Sequence, residues 1–212
     1  MNALVVDQVS LRVDGHVLFA PLSFSIAPGT VTSIVGPSGS GKSSLLGFLC
    51  GIAPSAIEGS GSLHIGDEDL ATLAPEQRRL GLLFQDPLLF PHLSVAANLL
   101  FGLPAGPVRA QRRQRVAQAL ASVGLDDYGE RDPDTLSGGQ KARVALLRVL
   151  LAEPRALLLD EPFGALDEDN RRRVRELVFA QARERQLPTL LVTHDDEDVT
   201  AAGGPVVVLE RA

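Results

Sequence analysis

A glycine-rich loop that could hold phosphate stands early in the chain, in "GPSGSGKSS". It fits the pattern G-x-x-x-x-G-K-[ST], in which glycines let successive backbone N–H groups turn toward phosphate oxygens. The lysine would bridge the β- and γ-phosphates of a nucleotide, and the next serine hydroxyl would hold Mg²⁺. We predict that the loop binds phosphate through nine residues: Gly36, Pro37, Ser38, Gly39, Ser40, Gly41, Lys42, Ser43 and Ser44.

An acidic pair follows a strongly apolar run in "ALLLDEP". A strand there delivers Asp160 and Glu161 to the carboxyl edge of the sheet, where ligands bind in open α/β folds. Asp160 is predicted to support the Mg²⁺ ion, and Glu161 to polarise the attacking water. Taken alone, Asp-Glu after a strand usually marks a solvated turn, so the functional interpretation depends on the phosphate loop.

Two further polar residues end apolar runs. Gln85 closes "LGLLFQ" and His194 closes "TLLVTH", so both strands are expected to end there and both side chains to lie at the same edge. A glutamine there can coordinate Mg²⁺ and sense the γ-phosphate, and a histidine can donate a hydrogen bond to the γ-phosphate or to water. Each is weak evidence alone, because a strand-end histidine is more often an ordinary capping group.

A second helix start of interest lies in "DTLSGGQKARVALLRVLL", from Asp134 to Leu151. A serine and two glycines precede a periodic apolar segment, which predicts a helix whose first N–H groups are left bare. Such a helix end attracts anions, phosphate above all. The chain therefore carries two helix starts suited to phosphate.

The elements that must position these residues alternate between apolar strands and helices. The pattern predicts an α/β fold, with a P-loop NTPase core, a mostly parallel sheet and an N-terminal antiparallel β-hairpin turning at Asp14-Gly15. "GSLHIGDEDL" reads as a short strand and turn. A helical subdomain is inserted from about residue 86 to 136 and continues in the second phosphate-type helix to about 151. It holds a helix capped by Ser94, a break at "PAGP" (104–107) and a helix ending near Gly124. We expect a single domain over residues 1–212.

Composition limits the class of protein. A formal net charge of −6 and only 4% aromatic residues argue against a broad nucleic-acid surface or a base-stacking platform. The single cysteine, Cys50, cannot form an internal disulfide and is expected to be a buried small hydrophobe. No apolar run reaches about 18 residues and no signal peptide is visible. We expect a soluble, cytosolic setting.

Together these motifs resemble those of the ATP-binding cassette (ABC) ATPases, in the family's order and over essentially the whole chain. "GPSGSGKSS" resembles the Walker A motif and "LLLDEP" the Walker B motif, while Gln85 resembles the Q-loop glutamine and His194 the switch histidine. "ALD" resembles the D-loop through Asp167, and "LSGGQ" resembles the signature motif, formed by Leu136, Ser137, Gly138, Gly139 and Gln140. "FQDPLLFPHLSVAANLLFGL" is similar to the matching region of bacterial small-molecule importers, above all the thiamine-import-like group.

The resemblance implies an ATPase with ATP and Mg²⁺ as cofactors. The implied metal-site residues are Ser43, Gln85 and Asp160, and the implied catalytic residues are Glu161, His194 and Gln85. The resemblance also implies a head-to-tail dimer, with ATP between the Walker A loop of one subunit and the signature motif of the other. This arrangement explains why one chain needs two phosphate-type helix starts.

Dimer closure on ATP would power an ABC transporter, and a bacterial small-molecule importer is the expected type. The implied partners are a second ATPase subunit (in a homodimer), polytopic membrane permease subunits and a substrate-binding protein, with no nucleic acid. The subunit would sit peripherally at the cytoplasmic face of the inner membrane, with a permease helix docking in a groove lined by Gln85 and the apolar segment Asp86 to Gly102. The alternative is a soluble ABC ATPase of the DNA-repair or chromosome-handling type. In those proteins long coiled coils divide the domain, whereas the insertion here is short.

One departure from the family concerns adenine. An aromatic residue in the first hairpin usually stacks on the base, whereas Val13 stands at the matching position. Tyr128 lies elsewhere in the sequence, and Phe19 is an alternative that more often packs in a core. Two arginine-rich stretches, "RAQRRQR" (109–115) and "RRRVR" (171–175), are expected to be solvated helix faces. For the first, contact with lipid headgroups or with a partner's loop is the alternative.

Overall fold

The structure, a computed structural model, describes residues 2–104, 106 and 108–211 of the 212-residue chain. The chain divides into two compact units. The first unit comprises Met1–Leu82, Arg155–Glu161 and Phe179–Ala212, and the second comprises Leu83–Pro154 and Pro162–Val178. The predicted helical insertion falls within the second unit, although residues 105 and 107 of its predicted break lie outside the described residues.

Strands and helices alternate along most of the chain, as expected for an α/β fold. The strands are β1 (Leu4–Val13), β2 (His16–Val17), β3 (Leu22–Ile26), β4 (Val31–Val35), β5 (Ile57–Ile65), β6 (Glu68–Asp69), β7 (Leu80–Leu83), β8 (Ala156–Asp160), β9 (Thr189–Val192) and β10 (Val206–Val208). The α-helices are α1 (Lys42–Cys50), α2 (Pro75–Arg78), α3 (Val95–Gly102), α4 (Arg109–Ser122), α5 (Gly138–Leu151), α6 (Glu168–Glu184) and α7 (Asp196–Ala202).

An antiparallel sheet is built around β1, with strand order β2-β1-β5-β6 and β3 also paired to β1. The predicted hairpin is present, because β1 and β2 pair antiparallel with Val13 opposite His16. Asp14 and Gly15 between them have φ of 50° and 78°, the positive values that a two-residue type I′ turn requires. β5 is longer than the predicted short strand because it pairs along nearly the whole of β1.

The second sheet carries the predicted parallel core, with strand order β10-β4-β9-β8-β7. β10, β4, β9 and β8 run parallel. The apolar runs of β4, β9 and β8 are buried as continuous strands, whereas β10 leaves Val206 and Val208 exposed. Ile34 of β4 and Asp160 of β8 both lie beside Val192 of β9. The segments that leave β4, β8 and β9 therefore start from one edge of the sheet.

Two predicted strand ends are wrong by two residues. β7 ends at Leu83 and β9 ends at Val192, so Gln85 and His194 lie in bends beyond their strands. Both side chains are exposed. In β9 the apolar run itself stops at Val192, before Thr193. In β7 the run continues to Phe84, but that residue is exposed and lies outside the strand.

The second unit has its own helical core, as the sequence predicts. Ser94 caps α3, because its Oγ accepts a hydrogen bond from Ala97 N (3.3 Å). The C-cap of α4 is Val123, one residue before the predicted Gly124. Gly124 (φ 70°) is the next residue, in the position where glycine is favoured. α3, α4 and α5 bury apolar side chains against one another, among them Val95, Leu99, Val116, Leu120, Val144 and Leu147.

The arginine-rich stretches are less solvated than predicted. Arg112 donates to the carbonyl oxygens of Leu100 (2.8 Å) and Pro104 (2.9 Å), near the end of α3. Arg115 pairs with Glu153 at 2.6 Å. In the second stretch Arg175 is buried, with only 8% of its surface exposed. The prediction of a solvated face is therefore wrong for Arg175, which is buried, whereas Arg113 and Arg172 are exposed as predicted. The planar guanidinium group of Arg112 is instead held by backbone carbonyl groups.

Cys50 is buried, as predicted. Burial raises the pKa of its thiol to about 12, against a smaller lowering by nearby Arg78, so the thiol stays protonated at neutral pH. Among the described residues, no helix combines the length and the apolar character that crossing a membrane would require.

Candidate nucleotide site

The glycine loop enters α1 without a side-chain cap. Gly41, the N-cap residue, has φ 94° and offers no side chain to the amides of the first turn. The first helical hydrogen bond runs from Leu45 N to Gly41 O (2.8 Å), so the N–H groups before it point out of the helix end. An uncapped helix N-terminus with its positive dipole is suited to an anion such as phosphate.

Gly41 cannot readily be replaced by another residue. Its φ lies in the left-handed region that side chains rarely adopt. An added Cβ would come within 3.2 Å of Leu18 Cδ1 and of Phe19 Cδ1. The loop therefore needs glycine here for both its backbone conformation and its close packing.

Lys42 folds back over the start of the loop. Its Nζ donates hydrogen bonds to the carbonyl oxygens of Gly36 (2.8 Å) and Pro37 (3.0 Å), and the residue is 7% exposed. These bonds hold the ammonium group in the loop beside the uncapped helix end. A fixed cation and several free amides together form a site for a multiply charged phosphate.

A hydroxyl and a carboxylate from distant parts of the sequence meet next to the loop. Ser43 Oγ donates to Asp160 Oδ1 at 3.1 Å. Burial raises the pKa of Asp160, the neighbouring charge of Glu161 raises it further, and the hydrogen bond from Ser43 and the charge of Lys42 lower it. A divalent cation at this pair would offset the cost of burying the carboxylate.

The pair fits Mg²⁺ in the way that nucleotide sites use it. Mg²⁺ takes oxygen ligands and is usually held by one or two protein groups together with phosphates and water. Ser43 and Asp160 supply two such oxygens. In the described part of the chain, no group of three or more His, Cys, Asp or Glu side chains is arranged to hold a metal by itself.

Glu161 and His194 form a second pair at the same sheet edge. His194 Nδ1 lies 3.2 Å from Glu161 Oε1, with side-chain exposures of 70% and 27%. Glu161 has φ 45°, and its N–H donates to Val192 O at 2.9 Å. A non-glycine residue with positive φ is uncommon and costs about 1–3 kcal/mol where it is strained. Such conformations cluster at functional sites, which supports a role for this carboxylate.

A cavity of about 340 Å³ joins the loop to the first hairpin. Its walls include Val13, Leu18, Lys42, Ser43 and Glu161. Val13 therefore lies on the same cavity as the phosphate loop, which agrees with its predicted place beside the base. Phe19 is not an alternative stacking residue, because its ring is 1% exposed and packs in the core.

The remaining predicted site residues belong to the second unit. Gln85 is exposed beyond β7. Ser137 caps α5: its Oγ accepts from Gln140 N (3.3 Å), while Gln140 Oε1 accepts from Ser137 N (2.9 Å). This capping box corrects the prediction of a bare helix start, because one first-turn amide is already bonded. The amides of Gly138 and Gly139 still precede the first helical bond, from Lys141 N to Ser137 O.

Asp167 is held by a residue that the sequence analysis did not single out. Asn170 donates to both carboxylate oxygens of Asp167: its backbone N to Oδ1 (3.1 Å) and its side-chain Nδ2 to Oδ2 (2.8 Å). These hydrogen bonds lower the pKa of Asp167. Asn170 also packs on the signature motif, since a Cβ added to Gly139 would lie 2.5 Å from its Oδ1. Asp followed three residues later by a polar residue at a helix start is a capping pattern that could have revealed this pair.

Comparison with known proteins identifies the class. Residues 19–164 match the ABC transporter family, and the chain belongs to that family. It is 44% identical over 198 residues to the uncharacterized ABC transporter ATP-binding protein YnjD of Escherichia coli K12, covering 93% of this chain and 91% of YnjD. The predicted family and the ATPase class are thereby confirmed.

Two further relatives are named as parts of import systems. The sulfate/thiosulfate import ATP-binding protein CysA of Gloeobacter violaceus is 39% identical over 99% of this chain, and Fe(3+) ions import ATP-binding protein FbpC 2 of Rhodococcus jostii is 42% identical over 98%. This chain spans 60% of CysA and 59% of FbpC 2. These relatives are transport subunits, which supports the transporter prediction and not the chromosome-handling alternative.

Proposed function

We propose that this chain binds and hydrolyses Mg-ATP and that the cycle drives a bacterial importer of small molecules. The carrying observation is the arrangement at the edge of the parallel sheet, where an uncapped helix start, a hydroxyl–carboxylate pair and a glutamate–histidine pair lie together. Phosphate, a divalent cation and an attacking water each find a suitable group there.

Binding uses the glycine loop and its neighbours. The free amides at the start of α1 and the Lys42 ammonium hold the phosphates. Ser43 and Asp160 hold Mg²⁺, with Gln85 as a further proposed ligand. When bound, Mg²⁺ neutralises charge that develops on the phosphates during transfer.

Hydrolysis uses the second pair. Glu161 accepts a hydrogen bond from the attacking water and draws off its proton. His194 orients Glu161 through Nδ1 and leaves Nε2 for the γ-phosphate or for water. The hydrogen bond from Glu161 N to Val192 O fixes the carboxylate's backbone at the sheet edge, so the base is positioned before substrate binds.

Glu161→Gln tests the hydrolytic role. The amide keeps the size of the side chain but cannot take a proton, so ATP binding should persist while hydrolysis falls about 100-fold or more. Size-exclusion chromatography with Mg-ATP should show a trapped dimer. Glu210→Gln, an exposed glutamate on the same unit, serves as the control and should behave as wild type. Hydrolysis by Glu161→Gln at the wild-type rate would remove Glu161 from the role of base.

We propose that the signature motif acts across a homodimer. It supplies Ser137 and the amides of Gly138 and Gly139 to ATP bound at the Walker A loop of the partner subunit. The support is the helix start of α5, where those two amides precede the first helical bond. Each subunit would then contribute halves to two different sites, and ATP would close the dimer.

Mixed dimers test this arrangement. One chain carries Lys42→Ala and the other Ser137→Arg, in which the large side chain blocks the helix start. Each homodimer lacks every complete site, but the heterodimer keeps one composite site if the motifs act across the interface. About one slowly hydrolysed ATP analogue should be retained per tagged heterodimer, and almost none per homodimer. Equal, negligible retention in all three would overturn the shared-site arrangement.

The transport partners are proposed from the import relatives. We infer polytopic permease subunits and a substrate-binding protein, with this subunit peripheral at the cytoplasmic face of the membrane. The permease and the binding protein select the substrate. Co-purification of a tagged chain with a polytopic subunit from membranes tests the assignment, whereas recovery of a soluble chain bound to chromosomal proteins would contradict it.

A groove on the second unit is the proposed docking site for a permease helix. It measures about 470 Å³ and has a small apolar lining that includes Ala96, Ala97, Leu100, Val116, Ala117 and Leu120. Arg113, Asp126 and Glu130 add charges of both signs. In the predicted docking segment itself, Leu89 packs against the unit's core and the Phe90 ring lies edge-on to Phe101 at 4.8 Å. Leu89 therefore anchors the fold, whereas the ring partner of Phe90, Phe101, is 69% exposed. A substitution in the groove is therefore a cleaner test of docking than one at Leu89.

Ala117→Arg should fill the groove and weaken co-purification of the permease while sparing nucleotide binding. Gln118→Arg, on the exposed surface of the same helix and outside the groove lining, adds the same charge and should leave co-purification unchanged. Equal recovery of the permease with both variants would place docking elsewhere.

A further inference from the structure

The turn that presents His194 is fixed by a buried hydrogen bond on its inner side. Thr193 Oγ1 donates to Asp198 Oδ2 at 3.1 Å, and the two residues are only 2% and 3% exposed. The same hydroxyl accepts a hydrogen bond from Asp195 N at 3.1 Å. A threonine hydroxyl has one donor and two acceptor sites, so it can serve both partners at once.

Backbone and capping bonds complete the restraint. Thr193 N donates to Ile34 O (3.3 Å), which ties the turn to β4. Asp195 Oδ1 accepts from Glu197 N (2.8 Å), and this bond caps α7. The residues on both sides of His194 are therefore bonded, while His194 itself is 70% exposed and faces Glu161.

A packing role alone does not explain why a threonine and an aspartate occupy the buried positions 193 and 198. Burying a carboxylate and a hydroxyl is costly unless both are hydrogen-bonded, and apolar residues would fill the same space without that cost. The bond does what packing cannot, because it specifies the direction of the backbone immediately before and after His194.

We propose that Thr193 and Asp198 are positioning residues, which set the imidazole of His194 at hydrogen-bond distance from Glu161. The inference rests on the proposed hydrolytic role of His194. It predicts that the Thr193 hydroxyl affects turnover only through His194 and does not contribute to nucleotide affinity.

Thr193→Val is the main test, because it keeps the branched shape and removes the hydroxyl. In the purified full chain, kcat for ATP hydrolysis should fall about 10-fold or more, toward that of His194→Ala, whereas the Kd for Mg-ATP should change less than threefold. Thr193→Ser restores the hydroxyl without the methyl group and should keep at least half of the wild-type kcat. Thr193→Val should cause no further loss when His194 is already alanine.

The outcomes separate the possible explanations. If the double variant loses kcat by the product of the two single losses, the positioning role is wrong. It is also wrong if Thr193→Val keeps the wild-type kcat while His194→Ala is impaired. A wild-type kcat in His194→Ala would overturn the proposed role of His194 and the positioning role with it. Thr193→Ala repeats the test without added bulk. If neither Thr193→Val nor Thr193→Ala folds while Thr193→Ser does, the bond serves the fold and the proposal is wrong.

Discussion

α1 and α5 begin in opposite ways. α1 follows Gly41, which has positive φ and no side-chain cap. α5 follows Ser137, whose side chain and that of Gln140 form a reciprocal capping box. Both starts contain glycines, and both precede a buried helix face, but they leave different numbers of amides free.

The difference indicates a division of labour. The start of α1 has a lysine, a serine–aspartate pair and uncapped amides within one unit, so it is a phosphate site in its own right. The start of α5 has satisfied one of its amides internally and has no lysine at the matching place. A helix start of that kind is a weaker anion site alone, which suits a part that completes a site built elsewhere.

Matched glycine substitutions should give the largest contrast. Gly41→Ala forces a side chain into a positive-φ position and against Leu18 and Phe19 at 3.2 Å, so Mg-ATP affinity should fall at least 100-fold and the melting temperature should drop. Gly138→Ala meets only Leu166 Cδ2 at 3.6 Å, an ordinary contact. Its melting temperature and the Mg-ATP affinity of the isolated subunit should stay near wild type. Isothermal titration and thermal unfolding check both, and equal losses would contradict the contrast.

Asp160→Asn should distinguish the role of this carboxylate in Mg²⁺ binding from its effect on the stability of the fold. Burial raises the pKa of Asp160 above its unfolded value, so its contribution to stability is greatest below the unfolded pKa and is lost as pH rises to the folded pKa. Without nucleotide at pH 7, the variant should therefore melt at a higher temperature than wild type. It should also lose most of the additional stabilisation that Mg²⁺ gives to ATP binding.

Asp167→Asn is the control, and its expected change in melting temperature is opposite to that of Asp160→Asn. Hydrogen bonds from Asn170 lower the pKa of Asp167, so its contribution is present above the unfolded pKa and is lost as pH falls. Removing that charge should lower the melting temperature at pH 7. If Asp160→Asn also melts lower than wild type, burial is not the dominant influence on that carboxylate.

The sequence predicted most of the fold because its signals are local. Continuous apolar runs identified the buried strands, and Asp14-Gly15 identified the hairpin. The strand ends at Gln85 and His194 were wrong because a polar residue after an apolar run does not show where pairing stops. The capping box on α5 was missed although Ser137 and Gln140 have the required spacing, because the glycines between them drew the interpretation toward an open helix end.

Pairings between distant segments were harder to predict. The Ser43–Asp160 bond joins residues 117 positions apart. The phosphate-loop pattern and the sheet-edge argument assigned both residues to one Mg²⁺ site, but they could not predict that the two side chains bond directly. Asn170 and Thr193 belong to no motif that was recognised, and their roles depend on hydrogen-bond geometry that only the folded chain specifies.

Val13→Tyr should sharpen the description of the α1 site. On the loop side of the cavity, Lys42 and the free backbone amides are available for phosphate. On the hairpin side the lining residues are Val13 and Leu18, and neither is aromatic. Stacking of a base on an aromatic ring contributes about 1–3 kcal/mol in nucleic-acid systems, so ATP affinity should rise about tenfold and the preference for ATP over GTP should increase. Titration of both nucleotides checks this. Unchanged affinities would show that adenine is held away from Val13.

The smallest expected effect comes from the caps themselves. Ser137→Ala removes the acceptor for Gln140 N, and Ser94→Ala removes the equivalent acceptor for Ala97 N at the start of α3. Losing an N-cap serine costs about 1 kcal/mol, which lowers the melting temperature of a chain of this size by about 2–4 °C. Both variants should show that loss, but ATP hydrolysis should fall only in Ser137→Ala, because only that cap belongs to a proposed phosphate site. Equal hydrolysis by the two variants would mean that the capping box of α5 serves helix stability alone, and the contrast between the two helix starts would then be one of capping and not of function.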